Sequence, residues 1–156
     1  MTKNPTRRKL HFNSIDEAVA DAERLAAGEV KTTGHYSFGQ ILDHLGRAMD
    51  TITGQRVPPP VKLPLRLAIR VVRPFMIRRT LPSGFKLPSK TQSLIWSSED
   101  VDVATGLKNW KESIERYKQT EPLQPHPVFG KMNRQQHDQV QCRHSELHLS
   151  FVHPAE

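Results

Sequence analysis

Proline-rich stretches interrupt this chain of 156 residues, and between them apolar residues recur every three or four positions. Proline lacks the amide hydrogen that helices and sheets use, so residues 57–60 and 121–132 are predicted to be loops. The three-to-four-residue spacing is typical of amphipathic helices, and the sequence contains neither sustained strand alternation nor an internal repeat. The pattern predicts an all-α, up-and-down bundle of four main helices with long irregular loops.

Capping residues and glycines mark the ends of the predicted helices. Ser14 and Glu17 have the spacing of a capping box, and Pro74 is expected to end or kink the third helix. Residues 80–93 are predicted to be an irregular connection, because prolines and a glycine separate isolated apolar residues. Helices are predicted from Ser14 to Gly28, from Ser37 to about Ile52, over residues 63–72, for about four turns after residues 97–100, and after Asn133.

The length fits one compact domain, assigned to residues 13–153, after a flexible basic N-terminus at residues 1–12. The single cysteine, Cys142, excludes an internal disulfide and suits a reducing compartment. The N-terminus lacks the apolar stretch of a secretory signal, and no apolar run approaches the roughly 20 residues that cross a bilayer. We therefore expect a cytoplasmic protein without a transmembrane segment.

The net charge of +7 is unevenly distributed along the chain. From Lys62 to Lys90 there are eight Lys or Arg residues and no Asp or Glu, so this segment would attract anionic ligands. It is either a solvated helix face or a surface that binds a membrane, an acidic partner or nucleic acid. Nucleic acid is not expected, because no aromatic residues interleave with Arg66, Arg70 and Arg73 to stack on bases.

Two histidines near the end of the chain, His144 and His148, are four residues apart and share one face of a helix, within reach of one metal ion. His137 falls within about 20° of them, along the stripe of the helix that is predicted to be buried. A third ligand is expected at His44, and three histidines leave a fourth position open to water or substrate. The alternative is that each histidine is partly exposed with its polar edge hydrated.

Other side chains are candidates for the surroundings of this site. Gln40 and Glu146 could support the ligands by hydrogen bonding, although both residue types are ordinary on exposed helix faces. His126 lies in the loop before the last helix and would either reach the rim of the pocket or be exposed. The residues assigned to the pocket are Gln40, His126 and His137.

Several motifs resemble the DinB/YfiT-like superfamily of metalloenzymes, and more closely an uncharacterised bacterial subgroup of it. Residues 37–45 match a Ser-x-Gly-Gln-x-Leu-x-His-Leu helix, and residues 126–130 match a late His-Pro-x-Phe-Gly loop. The subgroup follows this loop with an Arg-His-x-x-x-His-Leu helix, whose positions are occupied here by Arg143, His144, His148 and Leu149. The matches occur in the same order and span most of the chain.

The resemblance implies an up-and-down four-helix bundle in which His44, His144 and His148 bind a divalent metal ion. Members of the superfamily include thiol-dependent transferases and isomerases, in which the metal activates a low-molecular-weight thiol or water. Three positions depart from the subgroup and leave the shape of the substrate pocket open. They are Tyr36, where relatives usually have Trp; His137, where an aromatic residue is frequent; and Leu147, where another histidine is common.

We expect a metal-dependent enzyme, a transferase or hydrolase, that activates water or a thiol cosubstrate at the three-histidine site. Its cofactor would be a divalent ion such as zinc, nickel or iron. Its partners would be a small-molecule substrate, such as a low-molecular-weight thiol, and a second copy in a homodimer. Peptide hydrolysis is not expected, because no Glu follows His144 at the position of the general base in helical zinc peptidases. The alternative is a non-catalytic helical binding protein that uses its basic surface at residues 62–90 for an anionic partner.

Overall fold

A computed structural model describes residues 6–84 and 86–155. Over these residues the chain forms six helices and one two-stranded antiparallel sheet, so the expected all-α class fits broadly. The other residues, including the first five of the predicted basic N-terminus, lie outside the described part. In chain order the elements are α1 (Ile15–Ala26), β1 (Val30–Thr32), α2 (Phe38–Ile52), α3 (Leu63–Met76), α4 (Ser89–Ile95), α5 (Val103–Gln119), α6 (Arg134–Leu149) and β2 (Val152–Pro154).

Four of these helices surround the main apolar core. α2 packs along α5 and also contacts α4 and α6, while α1 contacts α5 and α6. The largest buried side chains include Leu42 and Met49 of α2 and Trp110 and Tyr117 of α5. β1 pairs with β2 directly after α6, and the buried Val152 attaches this small sheet to the core.

Side-chain caps mark the starts of α1, α2, α5 and α6. At α2 the Ser37 hydroxyl accepts from the Gln40 amide at 3.2 Å, and the Gln40 side-chain oxygen accepts from the Ser37 amide at 3.0 Å. α6 begins with the same reciprocal box. At α1 the predicted box is incomplete: Ser14 caps the Glu17 amide, but the Glu17 carboxylate accepts from the amide of Asn13 instead. The starts of α1, α2 and α6 are therefore encoded locally, as the sequence predicts, whereas α3 and α4 begin without a side-chain cap hydrogen bond.

The structure corrects several predictions about secondary structure. α3 continues through Pro74 rather than ending at residue 72; because Pro74 is exposed, water can bond the carbonyl that loses its partner. α4 occupies part of the predicted irregular connection, and its seven residues are too few to show a periodic pattern. α5 begins after Asp102, whose carboxylate caps it, rather than after residues 97–100. β1 and β2 were not predicted, because three residues are too few to show alternation.

The segment from Arg8 to Phe12 is bound to the body of the protein, where a flexible arm was predicted. Arg8 pairs with Asp21 of α1 at 2.7 Å and donates to the carbonyl of Val152 at 2.5 Å. Phe12 is buried, and its amide donates to the carboxylate of Glu146 at 2.6 Å. These bonds make the segment part of the folded domain, because they satisfy buried polar groups of α1 and α6.

α6 is buried on more than one side, whereas its sequence predicts a single buried stripe. His137 is buried as expected, but His144 and His148 are only partly buried. On the side that faces the N-terminal segment, Glu146 is fully buried and pairs with Arg143 at 2.9 Å. Removing either partner would leave a buried charge without its counter-charge, so both residues are needed where α6 packs against the N-terminal segment.

Two glycines allow the backbones of α2 and α5 to meet near their N-termini. A Cβ atom at Gly39 would lie 1.7 Å from the carbonyl oxygen of Val101, and one at Gly106 would lie 2.5 Å from the carbonyl oxygen of Gly39. Atoms cannot approach this closely, so a larger residue would push the two helices apart. The glycine of the Ser-x-Gly-Gln motif therefore has a packing role.

Gly39→Ala should destabilise the fold by about 1–3 kcal/mol, because its methyl group would meet rigid backbone rather than a mobile side chain. Gly28→Ala is the matched control, since a Cβ atom at Gly28 has nothing within 4 Å. Urea denaturation followed by circular dichroism measures the free energy of unfolding of both variants. Equal stability of the two would contradict the close contact between α2 and α5.

Candidate metal centre

Three imidazole rings meet between α2 and α6. The Nε2 atom of His44 lies 3.1 Å from Nε2 of His144 and 3.1 Å from Nε2 of His148. One residue comes from α2 and two come from successive turns of α6, so contact between these two helices is enough to build the cluster. One ring nitrogen of each residue lies within 4.8 Å of the other two. The structure thus brings together the three residues that the sequence analysis selected as ligands.

The ring of His44 is held in one orientation by the end of α4. Its Nδ1 atom is 3.0 Å from the carbonyl oxygen of Ile95, and because a carbonyl oxygen only accepts, Nδ1 carries the hydrogen. A neutral ring protonated at Nδ1 has its lone pair on Nε2, which faces the other two histidines. Metal-binding histidines commonly donate their second ring nitrogen to a carbonyl group in this way.

Aromatic stacking also fixes the plane of the His44 ring. Trp96 lies parallel to His44, with ring centroids 3.7 Å apart and 4° between the planes. Tyr36 stacks on Trp96 in turn, with centroids 3.6 Å apart, and the edge of Trp96 contacts His148. Tyr36 therefore belongs to the aromatic stack that holds the Trp96 ring beside His44.

Burial favours the uncharged form of all three histidines. It lowers the pKa of His144 to about 4. Burial, and then the neighbouring histidines, hold the pKa values of His44 and His148 well below their ordinary value. The rings are therefore neutral at neutral pH, which is the form that binds a metal ion.

The donor set and its spacing fit a divalent transition-metal ion. Nitrogen atoms placed tetrahedrally at roughly 2.0–2.1 Å from one ion would be about 3.3 Å apart. The two Nε2–Nε2 distances of 3.1 Å in this cluster are close to that value. Imidazole nitrogen suits zinc, nickel and iron, whereas magnesium and calcium prefer oxygen ligands, so the chemistry favours the first group.

His126 and His137 lie beside each other, close to the cluster. Their ring centroids are 6.5 Å apart. Burial, and then the charges of His144 and His137, lower the pKa of His126 to about 3. The Nδ1 atom of His126 accepts from the amides of Val128 and Phe129 at 3.1 and 3.2 Å, so its hydrogen is on Nε2. His126 thus offers an N–H donor at Nε2 rather than a lone pair for a metal ion.

Gln40 and Glu146, proposed as supports for the ligands, form other contacts. The Gln40 amide caps α2 and donates to the carbonyls of Ser97 and Glu99 at 3.3 and 3.1 Å, so it holds the loop after α4 rather than lining the pocket. Glu146 bonds to the N-terminal segment, on another side of α6. The direct support of His44 comes from Ile95 instead.

Ile95 and Trp96 were missed by the sequence analysis. They lie at the end of α4, just after residues 80–93, the stretch that was predicted to be irregular. Ile95 acts through its backbone carbonyl, which every residue has, so its side chain carries no signal of this role. In the sequence, the available signal for a residue that contacts His44 was Trp96, a large aromatic residue at the end of a long connection.

The sequence matches the family described as "Protein of unknown function (DUF1569)" over residues 4–155. Neither a curated protein nor a solved structure matches the chain. The family match includes both helices that contribute the histidine cluster.

Acid should destabilise the metal-free protein as the pH falls from about 6.5 to about 4. Burial lowers the pKa values of His44, His126, His137, His144 and His148, so the unfolded chain binds protons more tightly than the folded one. Stability is therefore full above this window and is lost as the pH falls through it. Urea denaturation in the presence of a chelator, at about pH 7 and about pH 5, measures the loss.

His144→Leu should lose less stability on acidification than the parent, because one of the depressed pKa values has been removed. His35→Ala, a substitution at an exposed histidine, is the control and should follow the parent. An equal loss in the parent and in His144→Leu would show that other groups determine the acid sensitivity.

Proposed function

The chain belongs to the DUF1569 family, which is in the DinB/YfiT-like superfamily, and we propose that it binds one divalent metal ion through His44, His144 and His148. The observation that carries this proposal is the meeting of three Nε2 atoms, with the lone pair of His44 aimed at the cluster by its bond to Ile95. Three histidine ligands leave at least one coordination position open to a substrate. Zinc, nickel and iron are the candidate ions.

We also propose that the protein is an enzyme, a transferase or hydrolase that acts on a small molecule. When bound, the metal supplies Lewis acidity to a water molecule or a thiol cosubstrate. In this proposal the Nε2–H group of His126 donates a hydrogen bond to a substrate beside the cluster, which is supported by the two amide bonds that its Nδ1 accepts. His137 offers Nδ1, a buried atom that has no hydrogen-bond partner within the described residues. A substrate that bonds to His137 would satisfy a polar atom that is otherwise costly to bury.

A groove beside His126 supports an anionic substrate. One wall includes Arg66, Arg70 and Arg73 of α3 together with Leu63 and Leu67, and another is formed by residues 125–131. Three guanidinium groups along one wall raise the local concentration of anions, such as a carboxylate-bearing thiol or its conjugate. The groove therefore supplies a reason for the excess of positive charge on this part of the chain.

Narrower inferences from the resemblance belong to the same proposal. In this proposal the chain belongs to the subgroup with the late His-Pro-x-Phe-Gly loop, its four main helices run up and down, and it forms a homodimer. The contacts among α1, α2, α5 and α6 support the four-helix arrangement. The loop motif is supported by the two backbone bonds that His126 accepts, which explain why a histidine begins it.

Untagged protein should copurify with about one equivalent of zinc, nickel or iron per chain, and His144→Ala should lose the metal, because two remaining nitrogens bind far less tightly. Elemental analysis by plasma mass spectrometry measures the content. His153→Ala, on β2 and outside the cluster, is the control and should retain the metal. A parent protein that stays metal-free after incubation with each ion would overturn the proposal.

The same substitution, histidine to phenylalanine, at two positions of α6 distinguishes a metal ligand from a residue of the substrate pocket. His137→Phe should keep the metal, because the ring nitrogens that converge belong to other residues. His144→Phe should lose it. Loss of metal from His137→Phe, with an unchanged circular dichroism spectrum, would move His137 from the pocket to the ligand set.

A further inference from the structure

α3 carries an apolar stripe that is largely exposed, and its first two residues, Leu63 and Leu67, also line the groove beside His126. Leu63, Leu67, Val71 and Phe75 are spaced four residues apart, so they follow one side of the helix. These four residues are 63, 56, 75 and 67% exposed, in that order, whereas a helix normally buries its apolar face against the core. Leu65 and Val72, on another side of the helix, are also exposed, so every side chain of α3 is exposed or only partly buried.

The opposite side of α3 attaches it to the body. Ile69 and Met76 pack against a small cluster formed by Ile77, Phe129 and Val140. Arg73 donates to the carbonyls of Phe129 and Lys131 at 3.1 and 2.8 Å. These contacts fix the orientation of α3, so the exposed stripe is a property of the folded protein and not of a loose segment.

Positive charge borders the apolar stripe. Arg66 and Arg70 lie along one edge of it, at helix positions between the stripe and the attached side. Arg78 and Arg79 follow the last turn and are exposed. The whole region from Lys62 to Lys90 contains eight basic residues and no acidic residue. A flat surface that met the stripe would therefore also meet several positive charges.

We propose that α3 docks the protein on the surface of an anionic lipid bilayer. A helix with Leu, Val and Phe on one face and arginines at its border is the type that lies in the headgroup layer with its apolar side chains inserted. Among residues 6–84 and 86–155, no helix is long and apolar enough to cross a membrane. α3, with 14 residues, would therefore lie parallel to the bilayer.

Charge complementarity favours lipid over a second copy of the chain. Two copies that paired through α3 would bring two acid-free basic segments together, and like charges would oppose the contact. Anionic headgroups instead neutralise the arginines while the acyl region takes up the apolar side chains. Nucleic acid would meet the arginines but would leave the aliphatic stripe without a partner.

Cosedimentation of the full chain with lipid vesicles tests this proposal. The protein should bind vesicles of phosphatidylcholine and phosphatidylglycerol in equal parts, and should bind much less to phosphatidylcholine alone. Binding should weaken as salt is added, because headgroup attraction is screened. Val71→Gln/Phe75→Gln should lower the partition coefficient about tenfold or more, since it removes apolar side chains from the stripe without changing the charge.

Arg66→Gln/Arg70→Gln should also lower binding about tenfold or more. Lys9→Gln/Lys31→Gln is the matched control: it removes two positive charges from exposed positions outside α3 and should bind like the parent. These residues are exposed, so the variants should keep the circular dichroism spectrum of the parent. Metal content does not enter this test, so its outcome is independent of the proposed metal site.

Three results would overturn the proposal. The first is a parent protein that does not sediment with anionic vesicles. The second is vesicle binding that the Val71→Gln/Phe75→Gln variant retains in full, which would assign the binding to charge alone. The third is a dimer of the parent in analytical ultracentrifugation that this variant abolishes, together with no binding to vesicles, which would make a second copy the occupant of the stripe.

Discussion

The backbone contact between α2 and α5 at Gly39 and Gly106 determines where the other elements can lie. Because α2 is held so closely on α5, its other sides are available to α4 and α6. His44, further along α2, then faces α6 and meets two histidines from successive turns of that helix. A small residue near the start of each of two helices is thus a condition for the geometry of a site that begins little more than one turn further along α2.

The histidine cluster also depends on a short series of hydrogen bonds that begins at the cap of α2. Gln40 holds the carbonyls of Ser97 and Glu99, next to Trp96 and Ile95 at the end of α4. Ile95 in turn orients the ring of His44 through its carbonyl group. Gln40 and His44, one turn apart on α2, therefore bond to the same stretch of chain: His44 bonds just before Trp96 and Gln40 bonds just after it. Together these bonds determine where the lone pair of His44 points.

The protein separates two kinds of surface. The core helices bury their apolar faces and enclose the histidines, whereas α3 exposes aliphatic side chains and is attached through only part of its circumference. The two regions meet at the groove beside His126, which has arginines of α3 in its wall. If α3 rests on a bilayer, this groove lies near the membrane surface.

Local sequence predicted the starts of α2 and α6, the four long core helices and the pair His144 and His148, because caps, helical spacing and two histidines one turn apart act over a few residues. The choice of His44 as their partner rested on the family resemblance. Tertiary structure alone decided which sides of α6 are buried, since Glu146 and Cys142 are enclosed by parts of the chain more than a hundred residues away or by other helices. It also placed the Ile95 carbonyl against His44 and left the apolar side of α3 exposed. An amphipathic pattern indicates that a helix has an apolar and a polar face, but only packing decides which face the rest of the chain covers.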